Sequence, residues 1–342
     1  MADNLEIELK KTIQGEVVRD VKNLDTYSTD ASLFTVRPQL AVWPKDVEDI
    51  KQLVKFVNKY RGSTGSPQLS LTARAAGTDM SGGPLTESIV VDVTKHLNNV
   101  IEVGPNYAIT QPGVFYRDFE KETLKHGLIM PSYPASRQLC AMGGIVANNA
   151  GGEKTLAYGK VEKYVQEIKM VLRDGNEYTF RSLNNLELEQ KKKQNDLEGE
   201  IYRSMHALIQ ENYEAIMAAK PKVSKNSAGY YLWNVWDKEK GTFDLSKMIV
   251  GSQGTFGIIT ETTFSLLRPK EHSTLLVIFL KDLARLAEVI NKILKHQPES
   301  FESYDDHTAS LAMRFLPDMI KLLGAKNILT LAWQFLPEVG MV

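Results

Sequence analysis

Two stretches of small residues constrain the fold of this chain more than any other feature. Residues 71–84 read LTARAAGTDMSGGP, and residues 131–152 read PSYPASRQLCAMGGIVANNAGG. Glycine lacks a Cβ and tolerates left-handed turns, so the first stretch lets backbone N–H groups converge on an anion such as a phosphate. The second stretch, the small-residue wall, is typical of a surface packed against a large flat ligand. We therefore predict that both stretches face one ligand.

The first stretch follows a predicted βαβ unit. RPQLAVWP, residues 37–44, predicts a short strand, and Asp46 with Asp49 resembles a helix cap before apolar residues at helical spacing from Val47 to Val57. The strand LSLTA then leads into the Gly-rich loop, residues 75–84. The loop therefore lies at the carboxyl end of a strand, where α/β sheets tend to bind ligands.

Strand and helix patterns alternate through the rest of the chain. Residues up to Leu24 read as helical, and the highly charged residues 182–200 read as a solvated linker or exposed helix. Strands are predicted at Ile89–Asp92 and Val100–Val103, in a hairpin that turns at residues 173–176, and on both sides of a glycine turn from Lys247. STLLVIFL, residues 273–280, predicts a strand, and residues 281–297 predict a helix.

Composition excludes several classes of protein. The 342 residues are 43% hydrophobic, enough for two or three packed subdomains, and the net charge of −1 does not favour a nucleic-acid partner. The single cysteine, Cys140, excludes an intramolecular disulfide framework and fits a reducing compartment. The N-terminal residues show no secretory signal and the chain shows no transmembrane segment. We expect a cytoplasmic protein, with peripheral attachment to a membrane left open.

Other catalytic and nucleotide-binding patterns fail. No G-x-G-x-x-G follows a strand, and Lys154 in NNAGGEKT does not have P-loop spacing. Nothing in the sequence marks Cys140 as an activated thiolate. The histidines are scattered and predict no metal site; they are His96, His126, His206, His272, His296 and His307.

Four motifs in order carry a resemblance to a known family. RAAGTDMSGG, PASRQLCAMGGIVANNAGG, YGKVEKYV and GSQGTFGIITE resemble the FAD-linked oxidases of the PCMH/vanillyl-alcohol-oxidase superfamily. Within it, the chain is similar to the group of the glycolate oxidase flavin subunit, D-lactate dehydrogenase and D-2-hydroxyglutarate dehydrogenase. The resemblance covers roughly residues 20–270, and several ordered motifs are more specific than any one of them.

The resemblance implies an α+β fold with a two-subdomain PCMH-type FAD-binding domain, followed by the start of an α+β substrate cap domain. The expected division is an N-terminal helical segment at 1–36, the FAD-binding domain at 37–269 and a partial cap domain at 270–342. A histidine occupies the position of Thr78 in covalent members of the family, so non-covalent FAD is expected here. Ala75 and Ala76 replace glycines common in the family.

The residues expected to contact FAD lie in the motifs and in one turn glycine. They are Arg74, Ala75, Ala76, Gly77, Thr78, Asp79, Ser81, Gly82, Gly113, Pro134, Ala135, Ser136, Met142, Gly143, Gly144, Ala147, Asn148, Gly151, Gly159, Ile258 and Ile259. Arg74 is expected to supply charge-assisted hydrogen bonds to phosphate, and Ile258 and Ile259 resemble residues that meet the adenine end. No catalytic residue is predicted.

The implied function is oxidation of a small 2-hydroxy acid, of the D-lactate, glycolate or D-2-hydroxyglutarate type, to the 2-oxo acid by hydride transfer to FAD. Reduced flavin must then pass its electrons onward, so an iron–sulfur or other electron-acceptor protein is an expected partner. No H-x-G-D-G-N-x-H motif follows Leu267, so activity is expected to require a further cap segment or a partner. A non-catalytic FAD-binding or electron-transfer subunit, a truncated fragment and an NADPH-dependent sugar-nucleotide reductase remain alternatives.

Overall fold

Two β-sheets and the helices around them build the first of two units into which the chain divides, residues 1–300 and residues 301–342. The computed structural model describes residues 2–60, 68–223 and 225–324. Helices and strands are mixed throughout, as the predicted α+β class requires. The domain boundaries expected at residues 36/37 and 269/270 stay predictions.

The first sheet carries the Gly-rich loop. Its region comprises α1 (Ala2–Thr12), β1 (Glu16–Val18), α2 (Val21–Tyr27), β2 (Leu40–Trp43), α3 (Val47–Val57), β3 (Leu71–Arg74) and β4 (Ile89–Asp92). The strand order is β1-β2-β4-β3. Strands β2, β4 and β3 are parallel, and β1 pairs antiparallel with β2. The predicted βαβ unit is confirmed, and the loop leaves the carboxyl end of β3.

The second sheet has seven strands in the order β5-β6-β11-β7-β8-β10-β9. The strands are β5 (Val100–Val103), β6 (Tyr107–Thr110), β7 (Val165–Val171), β8 (Glu177–Asn184), β9 (Trp236–Asp237), β10 (Thr242–Asp244) and β11 (Ile258–Ser265). The hairpin predicted at residues 173–176 joins β7 to β8 and is confirmed. Strand β11 lies between β6 and β7, so two distant parts of the chain meet in one sheet.

Short helices fill the chain between these strands and follow them. They are α4 (Tyr116–Leu124), α5 (Met142–Ala147), α6 (Thr155–Tyr158), α7 (Asn185–Lys192), α8 (Leu197–Glu211), α9 (Tyr213–Ala219), α10 (Ser246–Ile249) and α11 (Leu286–Leu294). Two 3-10 turns lie at Val161–Lys163 and Leu232–Asn234. Each sheet has its own buried core.

Three predictions of secondary structure are wrong. The residues around Val17 form β1 instead of continuing a helix, because they pair with β2. The strand predicted from Lys247 begins as helix α10, since the Asp244 carboxylate accepts hydrogen bonds from the backbone N–H and hydroxyl of Ser246 and opens a turn. Residues 273–280 pair with no described strand and are exposed, because β-propensity alone does not supply the partner that a strand needs.

The charged residues 182–200 are helical in part, but they are not simply a solvated face. Helix α7 begins with a capping box between Asn184 and Glu187. Leu188 is buried, and the buried Glu198 carboxylate lies 2.6 Å from Lys191 Nζ. The segment therefore packs on the second sheet. One of its faces is buried, although its charge pattern does not indicate this.

The second unit contains α12 (Asp306–Leu323) within its described residues, 301–324. The Asp305 side chain accepts a hydrogen bond of 2.7 Å from the backbone N–H of Thr308 and caps the helix, which contains Pro317. Within the described ranges, no helix combines the length and the apolar character that crossing a membrane demands.

Asp49 fixes the entry to the first sheet. Its buried carboxylate accepts backbone hydrogen bonds from Gln14 at 2.8 Å, Gly15 at 2.7 Å and Lys45 at 2.8 Å. One side chain therefore satisfies three backbone donors that come from two separate turns. Loss of the carboxylate would leave these donors without a partner, which is costly in a buried setting.

We predict that Asp49→Ala lowers the free energy of unfolding by about 2 kcal/mol, because three backbone donors lose the buried carboxylate that they share. Urea denaturation followed by circular dichroism measures the change. Glu48→Gln is the matched control, since Glu48 is exposed on the same helical turn and bonds only with neighbouring side chains. Equal stability of the two variants would contradict the role given to Asp49.

Candidate cofactor-binding site

The Gly-rich loop holds its shape by two left-handed glycines and one carboxylate. Gly77 and Gly82 have φ angles of +67° and +85°, which favour glycine. Asp79 Oδ2 accepts hydrogen bonds from Ser81 Oγ at 2.8 Å, Ser81 N at 3.2 Å and Gly83 N at 2.7 Å. Two of the predicted contact residues, Asp79 and Ser81, thus serve the loop itself.

The first half of the loop leaves its amides unused. None of the backbone N–H groups of residues 76–80 donates to a described residue. Because backbone donors are strong and are seldom left without an acceptor, a row of free amides beside a left-handed turn is suited to an anion. This loop can therefore hold a diphosphate without a charged side chain.

The small-residue wall is built by close contacts that larger residues would prevent. Gly143 in α5 donates its N–H to Pro112 O at 2.8 Å, and a Cβ there would lie 2.6 Å from Pro112 Cβ. The adjacent Gly113 is buried and donates to Leu97 O at 2.8 Å; a Cβ on it would meet that carbonyl at 2.7 Å. Glycine is required at both positions by packing, not by φ.

The Gly-rich loop and the wall lie side by side. A Cβ placed on Gly144 would be 3.5 Å from the Cβ of Ala75. Gln253 joins them from a third segment: its backbone N–H donates to Ala147 O at 2.9 Å, and its side chain donates to Asn148 Oδ1 at 3.0 Å. A Cβ on Gly83 would lie 3.7 Å from the Gln253 side-chain oxygen.

Further predicted residues lie in other parts of the wall and beyond it. Within the wall, Ala135 lies against Gly152, on which a Cβ would be 3.1 Å from Ala135 N. Pro134 and Ser136 flank Ala135, and Gly151 lies before the segment of Thr155 and Lys160. Gly159 ends α6 and contacts Lys163.

Ile258 and Ile259 are buried in β11, where they pair with Val171 and Met170. The assignment of the predicted residues to FAD stays a prediction.

Sequence reasoning missed a buried network under the loop. Tyr27 donates its hydroxyl proton to Asp92 Oδ2 at 2.7 Å and accepts from Trp43 Nε1 at 2.6 Å. Burial and the nearby Asp92 raise the pKa of Tyr27, so its hydroxyl stays protonated. Because the network joins residues far apart in the chain, no local sequence pattern predicts it.

Lys160 was missed as well. It is only 6% exposed, and its Nζ donates to Asn226 O at 2.7 Å and Ser227 Oγ at 3.1 Å. Burial lowers the pKa of this lysine. Lys160 thus binds residues 226–227 beside the wall. The only sequence signal for a role of Lys160 is its position in the YGKVEKYV motif.

The geometry fits FAD on two counts. The loop offers free amides at the end of a strand, and the wall brings small residues against that loop. Within the described residues, no group of three potential metal ligands is assembled. The arrangement can therefore bind a dinucleotide, and its chemistry would come from that cofactor.

Comparison with known families gives the same result. Residues 38–181 match the model of the FAD binding domain. The match spans both strands that flank the Gly-rich loop and the whole of the wall. FAD is thus the cofactor of this domain, and the resemblance found in the motifs is confirmed.

Curated relatives are similar over most of this chain. A D-2-hydroxyglutarate dehydrogenase of Pseudomonas putida is 27% identical over 88% of the chain and 30% of its own length. The glycolate oxidase subunit GlcD of Bacillus subtilis is 25% identical over 82% of the chain and 49% of its own length. A D-lactate dehydrogenase of Archaeoglobus fulgidus is 26% identical over 74% of the chain and 45% of its own length. The chain spans less than half the length of each of these relatives.

A solved structure supports the fold. An alkyldihydroxyacetonephosphate synthase superposes with a TM-score of 0.54 at 19% identity, covering 79% of this chain and 41% of that protein. The likeness concerns the architecture alone. It confirms the PCMH-type fold expected from the sequence.

We predict that Gly77→Ala weakens FAD binding by about tenfold or more, because the new Cβ would lie 2.8 Å from Arg74 Cζ and distort the loop. Gly127→Ala is the matched control: its φ is +68°, but a Cβ there meets nothing within 4 Å. Fluorescence titration with FAD measures both. Similar affinity losses in the two variants would show that the left-handed φ alone matters.

We predict that Cys140 is inert in the native protein. The thiol is buried, and burial raises its pKa to about 11. Since the native pKa lies above that of an exposed thiol, the neutral form stabilises the fold at neutral pH, and this contribution is lost as pH rises through about 11.

Iodoacetamide at pH 8 should alkylate Cys140 slowly in the native chain and quickly in urea, as mass spectrometry would show. Equal rates in both states would contradict this account.

Proposed function

We propose that this chain, whose residues 38–181 form an FAD binding domain, carries the flavin half of the oxidation of a 2-hydroxy acid to a 2-oxo acid. The observation that carries the proposal is the approach of the Gly-rich loop to the wall within that domain, with Ala75 and Gly144 in contact distance. Relatives named for D-2-hydroxyglutarate, glycolate and D-lactate support this substrate class.

When bound, FAD accepts the hydride equivalent from the substrate carbon. The residues of this chain would hold the cofactor and keep it in one orientation. The amides of residues 76–80 would bind the diphosphate, and the wall would cover one face of the ring system. Binding energy of this kind promotes reaction by fixing the position of the reacting groups.

We further propose that FAD is held without a covalent bond. Thr78 lies in the loop where a covalent member of the family would carry a histidine, and a threonine hydroxyl does not form that linkage. Acid precipitation should therefore release all of the flavin into the supernatant. Flavin that stays with the precipitate would refute non-covalent binding.

The finer assignments follow from the same proposal. Electrons from reduced flavin would pass to a second protein, such as an iron–sulfur protein. The single cysteine is consistent with a cytoplasmic location. The domain division at residues 36/37 and 269/270 belongs to this proposal too, with residues 270–342 contributing to a substrate cap.

A non-catalytic FAD-binding or electron-transfer subunit is the second candidate. The FAD binding domain at residues 38–181 would serve this role equally well. Such a subunit would bind FAD in the same site but would not turn over a hydroxy acid.

We predict that the purified chain, incubated with FAD and separated by gel filtration, is yellow. Anaerobic addition of D-2-hydroxyglutarate, D-lactate or glycolate, in the presence of the further cap segment or partner that activity is expected to require, should bleach the flavin absorbance for at least one acid. The L-enantiomers serve as controls. A yellow protein that no acid reduces would support the second candidate, and a folded, colourless protein would contradict both.

A further inference from the structure

We propose that Arg74 is a positioning residue: it braces the Gly-rich loop from beneath, together with Tyr27 and Asp92, and does not itself contact the diphosphate of FAD. This inference rests on the proposed FAD binding and goes beyond it. It gives Arg74 a role other than phosphate contact, and it assigns a role to Tyr27, which lies outside the FAD domain match at residues 38–181.

The guanidinium of Arg74 is already engaged. Arg74 is only 8% exposed, and it donates from Nη2 to Thr29 O at 2.8 Å and from Nη1 to Tyr27 O at 3.4 Å. The Tyr27 carbonyl is that of the last residue of α2, and Thr29 lies in the segment that follows it. Arg74 therefore ties this segment to the end of β3, directly before the Gly-rich loop.

The left-handed turn at Gly77 lies against the side chain of Arg74. A Cβ on Gly77 would lie 2.8 Å from Arg74 Cζ and 3.0 Å from Arg74 Nε. The guanidinium thus fills the inner side of the left-handed turn. A planar group in this place sets the path of residues 76–80, whose amides point to no described acceptor.

A second layer fixes the arginine. The Tyr27 ring lies under the guanidinium, with Arg74 Cζ 5.4 Å from the ring centre, and such cation–π contacts are favoured by burial. The hydroxyl of Tyr27 is held by Asp92, which in turn accepts from Thr94 N at 2.7 Å and Thr94 Oγ1 at 2.6 Å. The end of β4 therefore sets the orientation of Tyr27 and, through it, of Arg74.

Two consequences distinguish a brace from a phosphate ligand. A brace depends on the planar, two-point geometry of arginine, so a lysine at position 74 fails although it keeps the charge. A direct ligand contributes a charge pair with phosphate, so its removal reduces the salt dependence of binding. The Tyr27 hydroxyl should matter for FAD affinity only if the brace exists.

The experiment compares FAD affinity in the wild-type chain, Arg74→Lys and Tyr27→Phe, by fluorescence titration at low and high salt. We expect Arg74→Lys to weaken FAD binding about tenfold or more, the scale of lost hydrogen bonds to a charged group. Tyr27→Phe should weaken it several-fold. The ratio of affinities at the two salt concentrations should be the same for all three proteins.

Arg37→Lys is the matched control, because Arg37 is an exposed arginine whose guanidinium pairs with Asp25 of α2. Its FAD affinity should equal that of the wild type. Circular dichroism checks that each variant is folded. If Arg74→Lys does not fold, Tyr27→Phe decides the matter.

The inference is overturned if both variants bind FAD as the wild type does, or if Tyr27→Phe alone does so when Arg74→Lys is unfolded. It is also overturned if Arg74→Gln, titrated beside these variants because it removes the charge that lysine keeps, shows a reduced salt dependence, which would make Arg74 a direct phosphate ligand. Failure of the wild-type chain to bind FAD would instead refute the proposed function.

Discussion

Close approach of backbone to backbone is the constraint on which the site depends. Ala75 and Gly144 bring the Gly-rich loop and the wall into contact, and only small residues permit it. Gly143 and Gly113 also lie in close contact with neighbouring residues, Pro112 and Leu97 respectively. An added methyl group at Gly143 or Gly113 must displace its neighbours, whereas a Cβ on Gly144 would meet Ala75 at an ordinary contact distance of 3.5 Å.

The pairing of strands in the two sheets brings the segments of the site together. Parallel pairing of β3 with β4 places the loop at one sheet edge, while antiparallel pairing of β11 with β7 brings the segment of Gln253 to the wall. Beneath the loop, Arg74 and Tyr27 fill the space with a buried, hydrogen-bonded group. Buried charge is stabilised here by carbonyl oxygens and an aromatic face, which costs less than an unpaired guanidinium would.

Sequence patterns predicted the local features well because their causes are local. The cap at Asp46, the helix from Val47 to Val57 and the strand Ile89–Asp92 each follow from short-range rules. The two small-residue stretches were recognised because their glycine and alanine content is read directly from the sequence. What could not be predicted depends on distant partners. Val17 pairs with a strand, residues 273–280 pair with none in the part of the chain that the structure describes, and the Tyr27 network joins three segments.

Hydrogen–deuterium exchange of the chain with and without FAD tests the central claim most directly. The account predicts that FAD slows exchange in both stretches at once, at residues 76–80 and at residues 142–149, because one ligand lies against both. The hairpin at residues 173–176, which lies against Lys55 of α3 and is not expected to contact FAD, should exchange at the same rate in both samples. Protection of only one stretch, or of neither in a protein that retains FAD, would contradict the account.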